Sequence, residues 1–504
     1  MKTVFKGKIL ILGCGSVSQC LQPLLLRHLE VDFSKITIMD FEDMRAKAKD
    51  MLEAGAQYVR KRITQENLQS VLDAHLDAGD LLIDLAWNIG ATDIIQWCHD
   101  NHVLYINTSV EEWDPYHDAA SQYPTDRSLY VRHMKLRKIA REWSTQGATA
   151  LVEHGANPGL VSHWVKAALE DMSNVILGVT KRKDVIVPRN AMTVSQKELL
   201  SHALADNDFA RVAMLLGVKT IHISERDSQI SSRPKEPGEF VNTWSVEGFR
   251  EEGIAPAEMG WGTHERRLPK GAHHQEFGPG NQICLAQMGI NTFVRSWVPS
   301  GPILGMVVRH GEAFTMSDYL TVWHEDDEYG RHPAYRPTVH YAYQPSDVAL
   351  ASLHELRGNG YVMQDRQRIM NDEIISGRDE LGVLLMGHKL NGWWTGSTLS
   401  IDEARRHLSH QNATTLQVAA SITGAITWMI KNPLWGFCTP DELPYKEILE
   451  VANPYMGDTT SLQTNWNPLK DRGDLFELFG NPRPDDDDMW QFETFRFEGW
   501  GLAG

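Results

Sequence analysis

The tightest constraint on the fold of this chain lies in its opening residues. The apolar run Ile9-Leu10-Ile11-Leu12 meets Gly13-Cys14-Gly15-Ser16-Val17, and Leu-rich helical spacing then runs on to His28. Ile36-Thr37-Ile38-Met39-Asp40 reads as a second strand that ends in a carboxylate. Strand, glycine turn, helix and strand in this order describe a mononucleotide-binding βαβ unit. Gly13 allows the tight turn. Gly15 lets a pyrophosphate approach the helix N-terminus at Ser16 and Val17, where unpaired N–H groups and the helix dipole favour anions. Asp40 stands 25 residues beyond Gly15, near the spacing of an acid that accepts hydrogen bonds from a ribose. The expected ligand is NAD rather than NADP, because Asp40 would repel a 2′-phosphate. The third glycine position is Ser18, so helix and strand pack less closely than in the full motif.

The pattern continues. Leu81-Leu82-Ile83-Asp84-Leu85 reads as a strand, Ala86-Trp87-Asn88-Ile89-Gly90 as a loop, and Asp93 to Asp100 as an amphipathic helix. Val103 to Thr108 is the next strand, followed by Ser109-Val110-Glu111-Glu112-Trp113. Alternation of this kind argues a Rossmann-type, doubly wound parallel sheet. Ligands of such sheets lie beyond the carboxyl ends of the strands. Asp84, Trp87, Asn88, Thr108 and Glu112 are therefore expected near the cofactor or what reacts with it.

A chain of 504 residues exceeds one core. The expected division is a dinucleotide domain over 1–150, a second α+β domain for substrate and dimerisation over 151–405, and a C-terminal segment over 406–504. A helical approach from about 130 leads to a strand that stops at Gly155-Ala156-Asn157-Pro158-Gly159, before a helix from Val161 to Ala168. Residues 175–180 and 219–223 read as β segments, with a polar helix-like insertion over 185–216. Thr315 to Val322 reads as strand-like, and Phe492 to Phe497 as a short terminal strand. Asn412 to Gly424 is a small-residue helix that could pack back on the first domain. Asp485 to Asp488 reads as a solvated charge run without a site role.

Formal net charge is −17, which disfavours nucleic acid as a partner and suits a cation. No uninterrupted apolar run reaches membrane-spanning length, no signal peptide is recognisable, and the expected location is the cytoplasm. The five cysteines are scattered. No helical His-x-x-x-His accompanies His264 or His273-His274, so no metal is expected.

If hydride is to leave the carbon beside an amine, that amine must first lose its proton. Carboxylates can hold a remote ammonium, a histidine can handle the reacting end, and an aromatic face can hold an alkylammonium. The central region offers Trp244 between polar residues, the acids Glu225, Glu239, Glu252 and Glu265 beside turns, and His310 before a glycine. Asn157 lies where two domains should join. Each also has a plain structural reading: a solvent-facing acid, a partly buried indole, a strand cap, ordinary turn chemistry.

Five segments carry a whole-chain resemblance. They are Gly13-Cys14-Gly15-Ser16-Val17, Glu153-His154-Gly155-Ala156-Asn157-Pro158-Gly159, Gly238 to Ser245, Gly260-Trp261-Gly262-Thr263-His264-Glu265 and Arg309-His310-Gly311-Glu312. The chain resembles the bacterial homospermidine synthases, within the saccharopine dehydrogenase-like superfamily. That resemblance implies conversion of two putrescines to homospermidine and ammonia, with spermidine as an alternative aminobutyl donor. It implies NAD held as a prosthetic group and a homodimer. It further implies that Glu112 and Asn157 line the active site, that Trp244 holds the cation by its ring, that Glu225 and Glu252 bind substrate, and that His310 is an active-site histidine. Glu239 and Glu265 take over if the register of the acids slips. The alternative is an NAD(P)-dependent dehydrogenase of saccharopine or a carboxylated polyamine, which would use cations such as Arg233, Arg266, Arg267 and Arg295 for substrate carboxylates.

Overall fold

Short apolar runs build the first sheet, and every strand in it is parallel. Its strands are β1 (Ile9–Leu12), β2 (Ile36–Asp40), β3 (Gln57–Arg60), β4 (Leu81–Asp84), β5 (Leu104–Asn107) and β6 (Ala150–Leu151). They lie in the order β3-β2-β1-β4-β5-β6, and a late strand, Phe437–Cys438, pairs with β6 at the edge. The order reverses between β1 and β4, which opens a crevice at the carboxyl ends of these strands. Helix α1 (Ser16–His28) leaves the glycine turn from β1. β1, β4 and β5 are buried throughout, as strands covered on both faces must be. The computed structural model describes residues 2–115, 121–324, 332–473 and 489–497.

Helix α2 (Leu129–Glu142) leads from the first sheet towards the second domain, and α3 (Leu160–Leu177) follows β6. The second domain is a mixed, eleven-stranded sheet. At its centre β7 (Thr220–Asp227) runs parallel to β8 (Thr338–Gln344) and antiparallel to β9 (Arg378–His388). β7 carries Glu225 and β8 carries Tyr341 and Tyr343. The register places Tyr343 opposite Glu225, so Tyr341 lies two residues back on the same face. Between β7 and β8 in the chain, helices α4 (Val246–Ile254) and α5 (Glu312–Tyr319) bring further residues to one end of the sheet.

Helix α6 (Ala413–Lys431) joins the two halves. It is long and apolar enough to cross a membrane, yet nearly all of it is buried inside the fold. It packs along α1, and Asn412 caps it by accepting from Thr415 N at 2.8 Å.

Three stretches depart from the sequence reading. Residues 175–177 end α3 rather than form β structure, because Met172, Val175 and Ile176 continue that helix's buried face until left-handed Gly178 stops it. Thr315 to Tyr319 belong to helix α5, whose Ala313, Phe314 and Met316 are buried at helical spacing. Phe492–Phe495 is a short helical turn that buries both phenylalanines, and only Arg496–Phe497 is strand. The helix-like insertion is present as Val194–Ala205 and Phe209–Leu216. Asp485 to Asp488 lie outside the described residues.

The domain joint is fixed by a buried ion triad. Glu251 of α4 sits between two guanidinium groups, 2.8 Å from Arg132 of α2 and 2.7 Å from Arg309 before α5. Arg132 also donates to Val110 O at 3.0 Å, tying the loop after β5 to the second domain. Removal of the carboxylate would strand two buried cations. Glu251→Ala is therefore expected to cost about 3–5 kcal/mol, visible as a lowered midpoint in chemical denaturation.

Candidate active site and nucleotide cleft

The crevice beyond β1, β2 and β4 is a cleft of about 570 Å³. Gly13, at φ +86°, turns the chain there, and a Cβ on it would stand 2.6 Å from Leu85 O. Gly15 faces open space, with nothing within 4 Å of where its Cβ would be. Among the described residues no side chain caps α1, so the first-turn N–H groups at Ser16 and Val17 are left to the cleft. Asp40 lines it too. Its two carboxylate oxygens accept from Cys14 N at 2.7 Å and Glu42 N at 2.9 Å, and each keeps a lone pair for a further donor. Ser18 is buried with an unpartnered hydroxyl, as expected where a glycine would pack closer. An open glycine, uncapped N–H groups and a rim carboxylate fit a dinucleotide.

Trp87, Leu85, Ala86, Val17 and Ser245 line this cleft and also a second chamber of about 170 Å³ behind it. The chamber lies between the two domains and brings together Asn157, Glu225, Trp244, Glu252 and His310, which are distant in the chain. Glu225, on β7, is buried. Asn157 Nδ2 donates to its Oε2 at 3.0 Å, and the Tyr341 hydroxyl donates to the same oxygen. Burial pushes the Glu225 carboxyl up to about 7 despite these donors.

Trp244 stands in the turn after a strand at Glu239–Asn242, immediately before Ser245, which caps α4. Its Nε1 donates to the Tyr343 hydroxyl at 3.1 Å. The Tyr343 ring stacks on Tyr341, with centroids 5.1 Å apart. His310 lies in the loop before α5, beyond the end of the preceding strand at Met306. Its Nε2 is 3.1 Å from Glu252 Oε2 and its Nδ1 3.2 Å from Glu312 Oε1.

Several expected positions need correction. Glu112 is turned away from the chamber into ion pairs with Lys135 at 2.8 Å and Arg132 at 3.4 Å. Its neighbour Glu111 lines the chamber instead, and burial followed by the nearby Glu251 charge pushes it up to about 7. Asp84 lines neither space. It is buried beneath the cleft floor, where Tyr105 donates to it at 2.9 Å and Ala86 N at 3.2 Å, and burial lifts it to about 6. It thereby supports the turn that presents Ala86 and Trp87. Thr108 lines the chamber rather than the nucleotide cleft. Glu239 is consumed by Arg368 at 2.8 Å, and Glu265 holds Phe492 N and the Thr338 hydroxyl, so neither replaces Glu225 or Glu252.

Tyr341, Tyr343, Glu111 and Glu312 were missed from sequence. The alternation Val339-His340-Tyr341-Ala342-Tyr343 was the available signal for the two tyrosines. Among the described residues no Arg or Lys lines the chamber. Arg233 pairs with Glu239, and Arg295 donates to Pro468 O and Lys470 O. Arg132 and Arg309 approach from behind but are engaged by Glu251.

Residues 9–151 match the saccharopine dehydrogenase NADP binding domain, and residues 155–461 the saccharopine dehydrogenase C-terminal domain. The chain is 39% identical to the homospermidine synthase of Blastochloris viridis over 97% of each chain. It is 37% identical to that of Mesorhizobium japonicum, over 97% of this chain and 96% of the other. A crystal structure of the Legionella pneumophila homospermidine synthase in complex with NAD superposes with a TM-score of 0.84 at 37% identity, covering 99% of both chains. The protein belongs to the homospermidine synthases, within the saccharopine dehydrogenase-like fold.

Proposed function

We propose that the protein makes homospermidine and ammonia from two putrescines, or from putrescine and spermidine, with NAD retained as a prosthetic group. The carrying observation is the chamber itself. It holds three carboxylates (Glu111, Glu225 and Glu252), two indoles (Trp87 and Trp244) and one imidazole, and it opens into the nucleotide cleft. That lining suits a diamine. A saccharopine-type substrate would bring carboxylates to a wall whose nearest guanidinium groups, Arg132 and Arg309, line an adjoining pocket and are already paired with Glu251.

Gly13, Gly15, Ser16, Val17 and Asp40 would hold the dinucleotide in the cleft, which meets the chamber at Trp87. NAD supplies a hydride acceptor for the first diamine and, after amine exchange, the hydride donor that completes the product. The chain's own residues do the rest. Glu225, fixed by Asn157 and Tyr341, pairs with the remote ammonium. The Trp244 face accommodates the alkylammonium group. His310 and Glu252 take the proton from the reacting amine. Val17, Leu85, Ala156, Val418 and Trp244 supply an apolar wall, which limits hydrolysis of the substrate imine to an aminoaldehyde. The resemblance also implies a homodimer, which light scattering would read directly.

Mass spectrometry after incubation with putrescine and a trace of NAD should show many homospermidines per NAD, with no accumulation of NADH. Formation of NADH in step with substrate consumed would instead mark a dehydrogenase.

Trp244→Leu should lower kcat/KM for putrescine by about 2- to 30-fold, the range of a cation–π contact of about 0.5–2 kcal/mol, while NAD affinity is kept. Equal loss of both would make Trp244 structural.

Glu225 titrates near 7 and pairs with an ammonium only when ionised. The diamine KM should therefore rise as pH falls from about 8 to about 6. In Glu225→Gln the KM should be high throughout and this step smaller.

A further inference from the structure

Behind His310, on the side away from the chamber, lies a second carboxylate that the proposed reaction does not yet use. Glu312 is the first residue of α5 and is 1% exposed. One of its oxygens lies 3.2 Å from His310 Nδ1, and the other is buried without a hydrogen-bond partner. The imidazole is thus held at both nitrogens, by Glu312 from the interior and by Glu252 from the chamber wall.

The other groups facing this ring are few. Tyr341 of β8 packs against it, with centroids 4.4 Å apart and planes tilted by 40°. Glu225 of β7 shares the chamber. Arg309, the preceding residue, is turned to Glu251. Glu153, after β6, approaches Glu312 and is 2.8 Å from His133 Nε2. Gly311 makes room for it, since a Cβ there would overlap the Glu153 carboxylate.

We propose that Glu312 is a positioning residue of the reaction: its carboxylate fixes the His310 ring against Glu252, so that the imidazole carries the proton that the reacting amine gives up and the departing ammonia takes. This rests on the homospermidine synthase reading above. The proton balance closes within the site. The reacting nitrogen loses one proton to His310 before hydride leaves the adjacent carbon. After a free amine adds, the ring gives that proton to the nitrogen expelled as ammonia, takes the one the attacking nitrogen sheds, and returns it to the secondary amine formed on reduction. A base oriented and charged by a buried carboxylate is a recurring catalytic arrangement.

The chemistry explains why a second carboxylate is useful. A primary alkylammonium titrates near ~10.4 and a free imidazole near ~6.5, so the proton transfer is uphill by about four orders of magnitude. Burial works against the charged ring, yet the Glu312 and Glu252 carboxylates outweigh it and hold His310 well above its usual range. The mismatch with the amine shrinks accordingly.

Glu312→Gln keeps the shape and an acceptor oxygen and removes the charge. Two readings on the full-length protein test the proposal. Exchange of the His310 Cε1 hydrogen for deuterium, followed by mass spectrometry across pH, reports the ring's own titration without any need for turnover. Its midpoint should fall by about one pH unit or more in E312Q. The kcat for homospermidine, read above the wild-type His310 midpoint so that the ring enters as the free base, should fall at least about tenfold, with the putrescine KM changed less than about twofold. Should E312Q not fold, Glu312→Asp, which withdraws the carboxylate by one methylene, gives both readings in smaller measure. An unmoved His310 midpoint, or a loss that falls on KM with kcat kept, overturns the proposal. Wild-type protein that makes no homospermidine, while the midpoint still drops in E312Q, would overturn the assigned reaction and leave the hold of Glu312 on His310 standing.

Discussion

The structure depends on the burial of carboxylates at a joint between two domains. A buried acid is costly unless it is paired, hydrogen-bonded or neutral. Each acid here meets that condition differently. Glu251 has two guanidinium groups. Glu252 and Glu312 share one imidazole. Glu225 has an amide and a phenol, and Glu111 a serine hydroxyl at 2.7 Å together with the backbone N–H of Asn88. The first three face charged or chargeable partners, although burial still raises the Glu312 carboxyl against the pull of His310. The last two are held by neutral donors and pushed up to about 7. Under the proposed function, those two are the acids that a bound dication would satisfy.

That arrangement requires the domains to stay in register. Arg132 reaches from α2 to Val110 O and to Glu251 at once, so the loop carrying Glu111 and the helix carrying Glu252 share one anchor. Helix α6 supplies the apolar counterpart by packing along α1 and placing Thr414 and Val418 on the chamber wall. Its apolar composition thus serves a core between domains.

Much of the first domain was legible in the sequence because its signals are local. A strand, a glycine turn and a helix declare themselves within twenty residues, and alternation does the same for the strands that follow. The second domain was read less well. Thr315 to Tyr319 looks extended in isolation, and its helix is evident only once Ala313, Phe314 and Met316 are seen to share a buried face. The acids show the same limit. Glu225, Glu239, Glu252 and Glu265 are alike as letters beside turns. The fold gives Glu239 an arginine and Glu265 a terminal turn to hold, and leaves Glu225 and Glu252 at the chamber.

The dinucleotide fold, the family and the residue types at the site are readable from the chain alone, because these follow from short-range periodicity and from contiguous motifs. Which of two adjacent glutamates faces the chamber depends instead on the folded backbone. Glu111 and Glu112 differ by one step along a loop, and the direction of each side chain is set by the backbone path and by where Arg132 and Lys135 stand. The fold likewise sets Glu312 behind His310, because two neighbours in a sequence motif become a ring and its holder only when a helix start buries the acid against the ring.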